Sequence, residues 1–183
     1  SYLQKHRNSL FQLTALLMGQ AGLIKEEETD LKKEYEFLRT KFSLTPMDPS
    51  IWKHARMRPQ NSPELRIRQF AQLIYQSESL LSKILDTNDL KDLISLFEFR
   101  ETNVPPLGRS SIDILLINTV IPYKYAFSAR HNSHWDAFAM MEQIPAENNS
   151  IIRQWRGLGQ EGKNAADTQA LLHLYPNYCP QHE

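Results

Sequence analysis

Residues 52–68 concentrate more potential chemistry than any other stretch of the chain. Trp52, Lys53, His54, Arg56, Arg58, Asn61, Glu64, Arg66 and Arg68 all fall there, and five Lys or Arg against one Glu give a local charge of +4. Arginine presents a planar fork of donors that suits phosphate or carboxylate. Pro59 and Pro63 impose an extended or turned backbone. Ser62 then reads as an N-cap, with Pro63 in the first helical position. Free N–H groups at a helix start favour an anion at the same place. Arg56, Arg58, Asn61, Ser62, Arg66 and Arg68 are therefore a candidate site for a phosphate-bearing ligand, nucleic acid included. The structural alternative is that the arginines bond carbonyls or pair with the acidic stretch 26–36, where six acids and two lysines sum to −4. Trp52 is the only aromatic residue within 52–68, so the interleaving of rings and cations typical of single-strand binders is missing there.

Three other places could do chemistry. Asn118 is an amide in an apolar run, four residues before Pro122. It can satisfy groups freed by a proline kink or line a pocket at that kink. Glu147 precedes Asn148 and Asn149, and all three suit a helix cap; Glu147 is also a candidate pocket carboxylate. His131 and His134 are three apart without a matching acidic or cysteine ligand, so they do not spell a metal site. Asn118, His131, His134 and Glu147 together define an alternative reading as an enzyme pocket. Cys179 and His182 have the spacing of half a zinc site and would gain meaning only with further ligands beyond Glu183. No cofactor fingerprint, P-loop or nucleophile elbow is present, and no cofactor is expected.

The elements that must position these residues are helices. Leu10, Leu13, Leu17, Ala21 and Ile24 form one stripe, with Gly19 and Gly22 near its end; Leu31, Tyr35, Leu38 and Phe42 form a second. A short helix is predicted around 51–55. Ser62 starts a helix with Ile67, Phe70, Ala71 and Ile74 on one face, continuing towards Leu81 and Leu85. Asp86 or Thr87 is predicted to cap a helix with Leu90, Leu93, Ile94 and Phe97 inward. Ser110 and Asp113 suggest a capping pattern before the most apolar segment, 112–127. Pro122 inside that segment predicts a kink or an early end. Further helices are predicted over 133–143, 149–155 and 167–175. The fold class is all-α, about eight helices in irregular packing, with no significant β-sheet. One helical domain is expected over 1–183.

The totals exclude other classes. The chain has 183 residues, no net formal charge, 41% hydrophobic and 23% charged residues. That is ordinary for a globular domain, and a zero sum excludes a globally basic nucleic-acid binder while hiding local patches. No apolar run approaches the ~18 residues that span a bilayer, so no membrane partner is expected. Cys179 is the only cysteine, which excludes an internal disulfide and favours the cytoplasm. The chain opens at Ser1 within helical-looking sequence and reads as a fragment of a longer protein.

Several strings stand in one order: Lys-His-Arg-Asn-Ser-Leu (5–10), Gly-Gln-Ala-Gly-Leu (19–23), Glu-Tyr-Glu-Phe-Leu-Arg (34–39), Arg-Met-Arg-Pro-Gln-Asn-Ser-Pro (56–63), Arg-Gln-Phe-Ala (68–71) and Ile-Asn-Thr-Val-Ile-Pro (117–122). Together they resemble the C-terminal half of a bacterial family known as domain of unknown function 2851, common in Bacteroidetes. Where members of that family read Asn-Phe-Pro, this chain has Asn-Ser-Pro. The resemblance transfers no activity. It implies a longer protein, with a nuclease-like N-terminal half as this domain's partner and a cysteine-bearing tail after Cys179. The sequence thus indicates an uncharacterised helical accessory or binding domain with an arginine-rich loop, and assigns no reaction to it. The alternatives are the enzyme pocket and a scaffold that packs on the N-terminal domain.

Overall fold

The computed structural model describes residues 9–52, 61–77, 79–99 and 104–178. Nine helices occur among the described residues when the continuous helix 109–130 is counted once, and no strand. The only extended pairing described is an isolated bridge between Pro145 and Asn164. The fold is all-α with irregular packing, as the spacing of apolar residues predicts.

The chain divides into two compact units. The first comprises Ser1–Lys83 and Leu96–Leu107. Within it, α1 (Leu10–Gln20) packs on both α2 (Thr29–Phe42) and α3 (Pro63–Gln76). Leu13, Met18 and Leu38 are fully buried there, each worth roughly 1.5–3 kcal/mol of apolar transfer. Helices α1 and α2 end where the chain turns left-handed. Gly22 has φ +69°, and the Leu23 N–H bonds the Met18 carbonyl while the Gly22 N–H bonds that of Gly19. This Schellman arrangement satisfies carbonyls that a helix end orphans. At the end of α2 the same role falls to Ser43, with φ 53°, where a side chain meets steric cost. Gly19 serves another purpose than stopping the helix. A Cβ at that position would sit 2.1 Å from the Tyr35 ring, so only glycine lets α1 and α2 approach this closely.

The face of α3 differs from the predicted one. Phe70 is 45% exposed, whereas Gln69, Gln72, Ala71 and Leu73 are buried. The inward amides are explained in part by a proline loop that lacks donors: Gln69 Nε2 donates to the Pro105 carbonyl at 2.9 Å and to that of Pro106 at 3.4 Å. The Gln72 Oε1 atom is buried without a partner. Helix α3 also stops at Gln76, and Leu81, 61% exposed, belongs to the separate α4 (Leu80–Asp86).

The second unit comprises Ile84–Ser95 and Gly108–Glu183. Helix α5 (Leu90–Ser95) is capped by Asp89 rather than by Asp86 or Thr87: Asp89 Oδ1 accepts from the Lys91 N–H at 2.8 Å and the Asp92 N–H at 3.1 Å. Leu90, Leu93 and Ile94 are buried on α5 as predicted; Phe97 is buried too, but it follows the helix and belongs to the first unit. The central helix is α6 (Arg109–Leu115), a π turn (Leu116–Val120) and α7 (Ile121–Arg130) in sequence. Its N-cap is Gly108 without a side-chain bond, and Asp113 instead pairs with Arg109 at 2.8 Å. The predicted capping by Ser110 is thus absent. Nor does the helix end at Pro122. The π turn widens the helix one turn ahead of the proline, with the Ile121 N–H bonded to the Leu116 carbonyl five residues back. A ring without an N–H is then accommodated in the first turn of α7. Helix α8 (Ala137–Glu142) is capped by Asp136, and α9 (Ser150–Gly157) by Asn149, whose Oδ1 accepts from the Ile152 N–H at 3.0 Å. Helix α10 (Ala165–Tyr178) packs against both α8 and α9.

Candidate functional site

The arginine segment is flanked on either side by residues hydrogen-bonded to the rest of the first unit. Before it, a short 3-10 turn (Pro49–Ile51) is capped by Asp48, whose Oδ1 accepts from the Ser50 N–H at 2.8 Å. That hydrogen bond holds the Asp48 carboxyl below the usual carboxylate range. Trp52 follows, packed on Met18, Ala21 and Leu23. Its indole N–H donates to the Ala21 carbonyl at 2.7 Å, at the end of α1. Apolar burial fixes the ring and the hydrogen bond fixes its orientation.

After the segment, Ser62 caps α3 by accepting from the Leu65 N–H at 3.3 Å, and Pro63 occupies the first helical position. Arg66 Nη2 donates to Asn61 Oδ1, and Arg66 Nη1 donates to Gln69 Oε1 at 2.9 Å. Since Gln69 also holds the Pro105 and Pro106 carbonyls, one chain of bonds runs from Asn61 through Arg66 to the 105–106 loop. Arg68 makes an ion pair with Glu28, with side-chain exposures of 28% and 24%. Glu28 in turn accepts from the Lys25 N–H at 3.1 Å. Of the six candidate residues, then, Asn61, Ser62, Arg66 and Arg68 lie around the first two turns of α3. Arg66 and Arg68 have partners inside the protein, and the acidic stretch supplies one of them. Arg56 and Arg58 lie outside the described residues, as do Lys53, His54, Cys179 and His182.

The residues of the alternative pocket have separate local partners. Asn118 is exposed, and its Nδ2 donates to the Ile114 carbonyl at 3.0 Å, one turn back along its own helix. His131 is exposed and stacked on Phe127. Glu147 takes hydrogen bonds at Oε2 from Gln169 Nε2 and from Thr168 Oγ1 at 3.4 Å, close to the start of α10. There a carboxylate meets the positive end of a helix dipole. Among the described residues, no group of three or more His, Cys, Asp or Glu is placed to hold a metal ion. No described helix is long and apolar enough to cross a membrane.

The sequence model of the family "protein of unknown function (DUF2851)" matches residues 1–150. The chain belongs to that family. No curated protein and no solved structure matches it. The matched span takes in the arginine segment and the π turn, and it ends at Ser150, the first residue of α9.

In this DUF2851 chain the most unusual polar group is one that the sequence pattern hid. Lys124 is 3% exposed. Its Nζ donates to the carbonyls of Ile84 at 2.6 Å, Leu85 at 2.8 Å and Thr87 at 2.7 Å, which terminate α4. It also lies 5.0 Å from the centre of the Trp135 ring. All its donors are met, at the negative end of a helix. Burial pushes the Lys124 pKa below its ordinary value, with Asp86 opposing that shift. A spacing signal was available: Ile117, Ile121, Lys124 and Ser128 succeed one another at steps of four, three and four, and all are buried. Read as an apolar stripe, that face hides a lysine.

Proposed function

We propose that this domain is a helical binding module that takes a phosphate-bearing ligand, nucleic acid foremost, on its arginine segment. In this reading Arg56 and Arg58 supply the contacts, while Arg66 and Arg68 hold the base of the segment. The observation that carries it is the pair of anchors: Trp52 bonded to Ala21 on one side, and Asn61, Arg66 and Gln69 bonded together on the other. Fixing both flanks lowers the ordering cost that a ligand-binding segment must meet. The local charge of +4 gives the sign of the ligand. The lone cysteine fits a reducing compartment, and we place the domain in the cytoplasm, beside an N-terminal domain of the same protein.

Titration with labelled DNA and RNA at two salt concentrations tests this. Affinity should fall steeply with salt. The double variant Arg56→Ala/Arg58→Ala should lose roughly tenfold or more in affinity and about two units of salt slope, with its melting temperature unchanged. Absence of binding at low salt would overturn the proposal.

A second reading has its own support. The Arg68–Glu28 pair ties α3 to the start of α2, and the Arg66 network ties α3 to the 105–106 loop, as expected of a scaffold without a ligand. Its signature is loss of stability on arginine substitution with no change in any binding. The pocket reading, by contrast, gains no support, because Asn118, His131 and Glu147 are each held by different neighbours.

A further inference from the structure

Helix α7 is covered along only a narrow stripe. Ile121, Lys124 and Ser128 are its buried residues. On the uncovered side, Tyr123, Phe127 and His131 follow one another at four-residue intervals, so they stand on one ridge. Tyr123 is 41% and Phe127 37% exposed. The Phe127 and His131 rings are stacked, with centroids 3.9 Å apart and planes 23° from parallel. His131 Nδ1 lies 2.8 Å from the Phe127 carbonyl oxygen. A carbonyl only accepts, so Nδ1 carries the proton in that contact. The outer ring of the stack is thus fixed before any ligand arrives.

Charge points the same way. No acidic residue occurs between Asp113 and Asp136, a span that contains Arg130, His131 and His134. The two flanking acids are engaged: Asp113 pairs with Arg109, and Asp136 accepts from the Phe138 and Ala139 N–H groups. Arg130 is exposed beside His131. The ridge carries three rings with a guanidinium beside them, the combination on which unpaired bases stack.

We propose that this ridge is a binding surface for single-stranded nucleic acid. Unpaired bases stack on Tyr123, Phe127 and His131, and Arg130 meets a backbone phosphate. Stacking on aromatic faces tolerates any base and depends little on salt, whereas the guanidinium contributes the salt-dependent part. The surface shares no residue with the arginine segment and stands without it.

The test uses the 183-residue chain and a fluorescein-labelled oligothymidylate of roughly 16 nucleotides, the upper site size for a small stacking domain. Tyr123→Ala and Phe127→Leu should each weaken binding roughly tenfold with the salt slope unchanged. Arg130→Ala should lower that slope by about one. A duplex of the same length should bind more weakly than the single strand. Both ring substitutions should keep their effect when Arg56 and Arg58 are replaced by alanine, which separates this surface from the arginine segment. Melting curves of the variants report folding, and exposed positions predict little change. The proposal is overturned if the wild-type chain ignores the oligonucleotide at low salt, or if both ring variants bind as well as wild type. Self-association that Tyr123→Ala abolishes would overturn it too, by making the ridge an interface between copies.

Discussion

Arg68 and Lys124 are both cations held inside helical units, yet their partners differ in kind. Arg68 meets the Glu28 carboxylate at a partly exposed position, and solvent still reaches both side chains. Lys124 is buried and meets no carboxylate at hydrogen-bond distance among the described residues; three backbone carbonyls at the end of α4 surround its ammonium instead. An exposed pair trades water for a charge and gains little. A buried ammonium in a carbonyl cage satisfies helix-end acceptors that have few other partners, so its removal leaves several groups wanting. The contrast teaches that the more conspicuous cation cluster in the sequence need not be the one that stabilises the fold.

The largest effect should follow from Lys124→Met, which keeps the stem and removes the donors. We expect a loss of about 3 kcal/mol in a denaturant titration, and a loss below about 1 kcal/mol would dissolve the contrast with Arg68. Gly19→Ala should come next. It forces the Tyr35 ring aside, and overpacking of this kind costs about 1–3 kcal/mol; a melt unchanged from wild type would show that α1 and α2 separate freely.

The same lysine makes a pH prediction. Its pKa is lowered from 10.5 in the folded protein, so the unfolded chain keeps the proton to higher pH. Stability from this group therefore rises with pH between the folded pKa and about 10.5. The deficit of Lys124→Met relative to wild type should widen over that alkaline window. Tyr35, whose pKa burial raises, titrates in both proteins and cancels in the difference. A deficit that narrows would mean that the ammonium is favoured in the fold.

Arg68 should give less. A double-mutant cycle with Arg68→Ala and Glu28→Gln should report a coupling of about 1 kcal/mol, measured by equilibrium unfolding. Coupling above that of the Lys124 cage would invert the comparison. The smallest effect is a gain: Ser43→Gly relieves a left-handed residue at the end of α2 and should stabilise by about 0.5–1 kcal/mol, checked as a rise in melting temperature.

The all-α class and several helix starts were legible because local chemistry decides them. Ser62 with Pro63 and Asn149 cap helices through bonds that span three residues. The α3 face was less legible, since Gln69 turns inward to serve carbonyls at Pro105 and Pro106, more than thirty residues away. Pro122 announced an irregularity, but whether a helix breaks or widens depends on what packs around it, and here a π turn precedes it. Lys124 hid for a related reason: its partners are main-chain carbonyls, and carbonyls carry no sequence signal. At the arginine segment, both the local charge and the pairing of an arginine with the acidic stretch could be read from residue types alone.

In the proposed function the arginine segment divides its labour, with Arg56 and Arg58 for the ligand and Arg68 for the fold. The most direct measurement is a salt-dependent binding curve and a melt on the same two proteins, Arg56→Ala/Arg58→Ala and Arg68→Ala. The first should lose affinity and salt slope at an unchanged melting temperature, and the second should melt earlier while binding nucleic acid as wild type does. Equal affinities for both variants and wild type, or a lowered melt for the first, would contradict it.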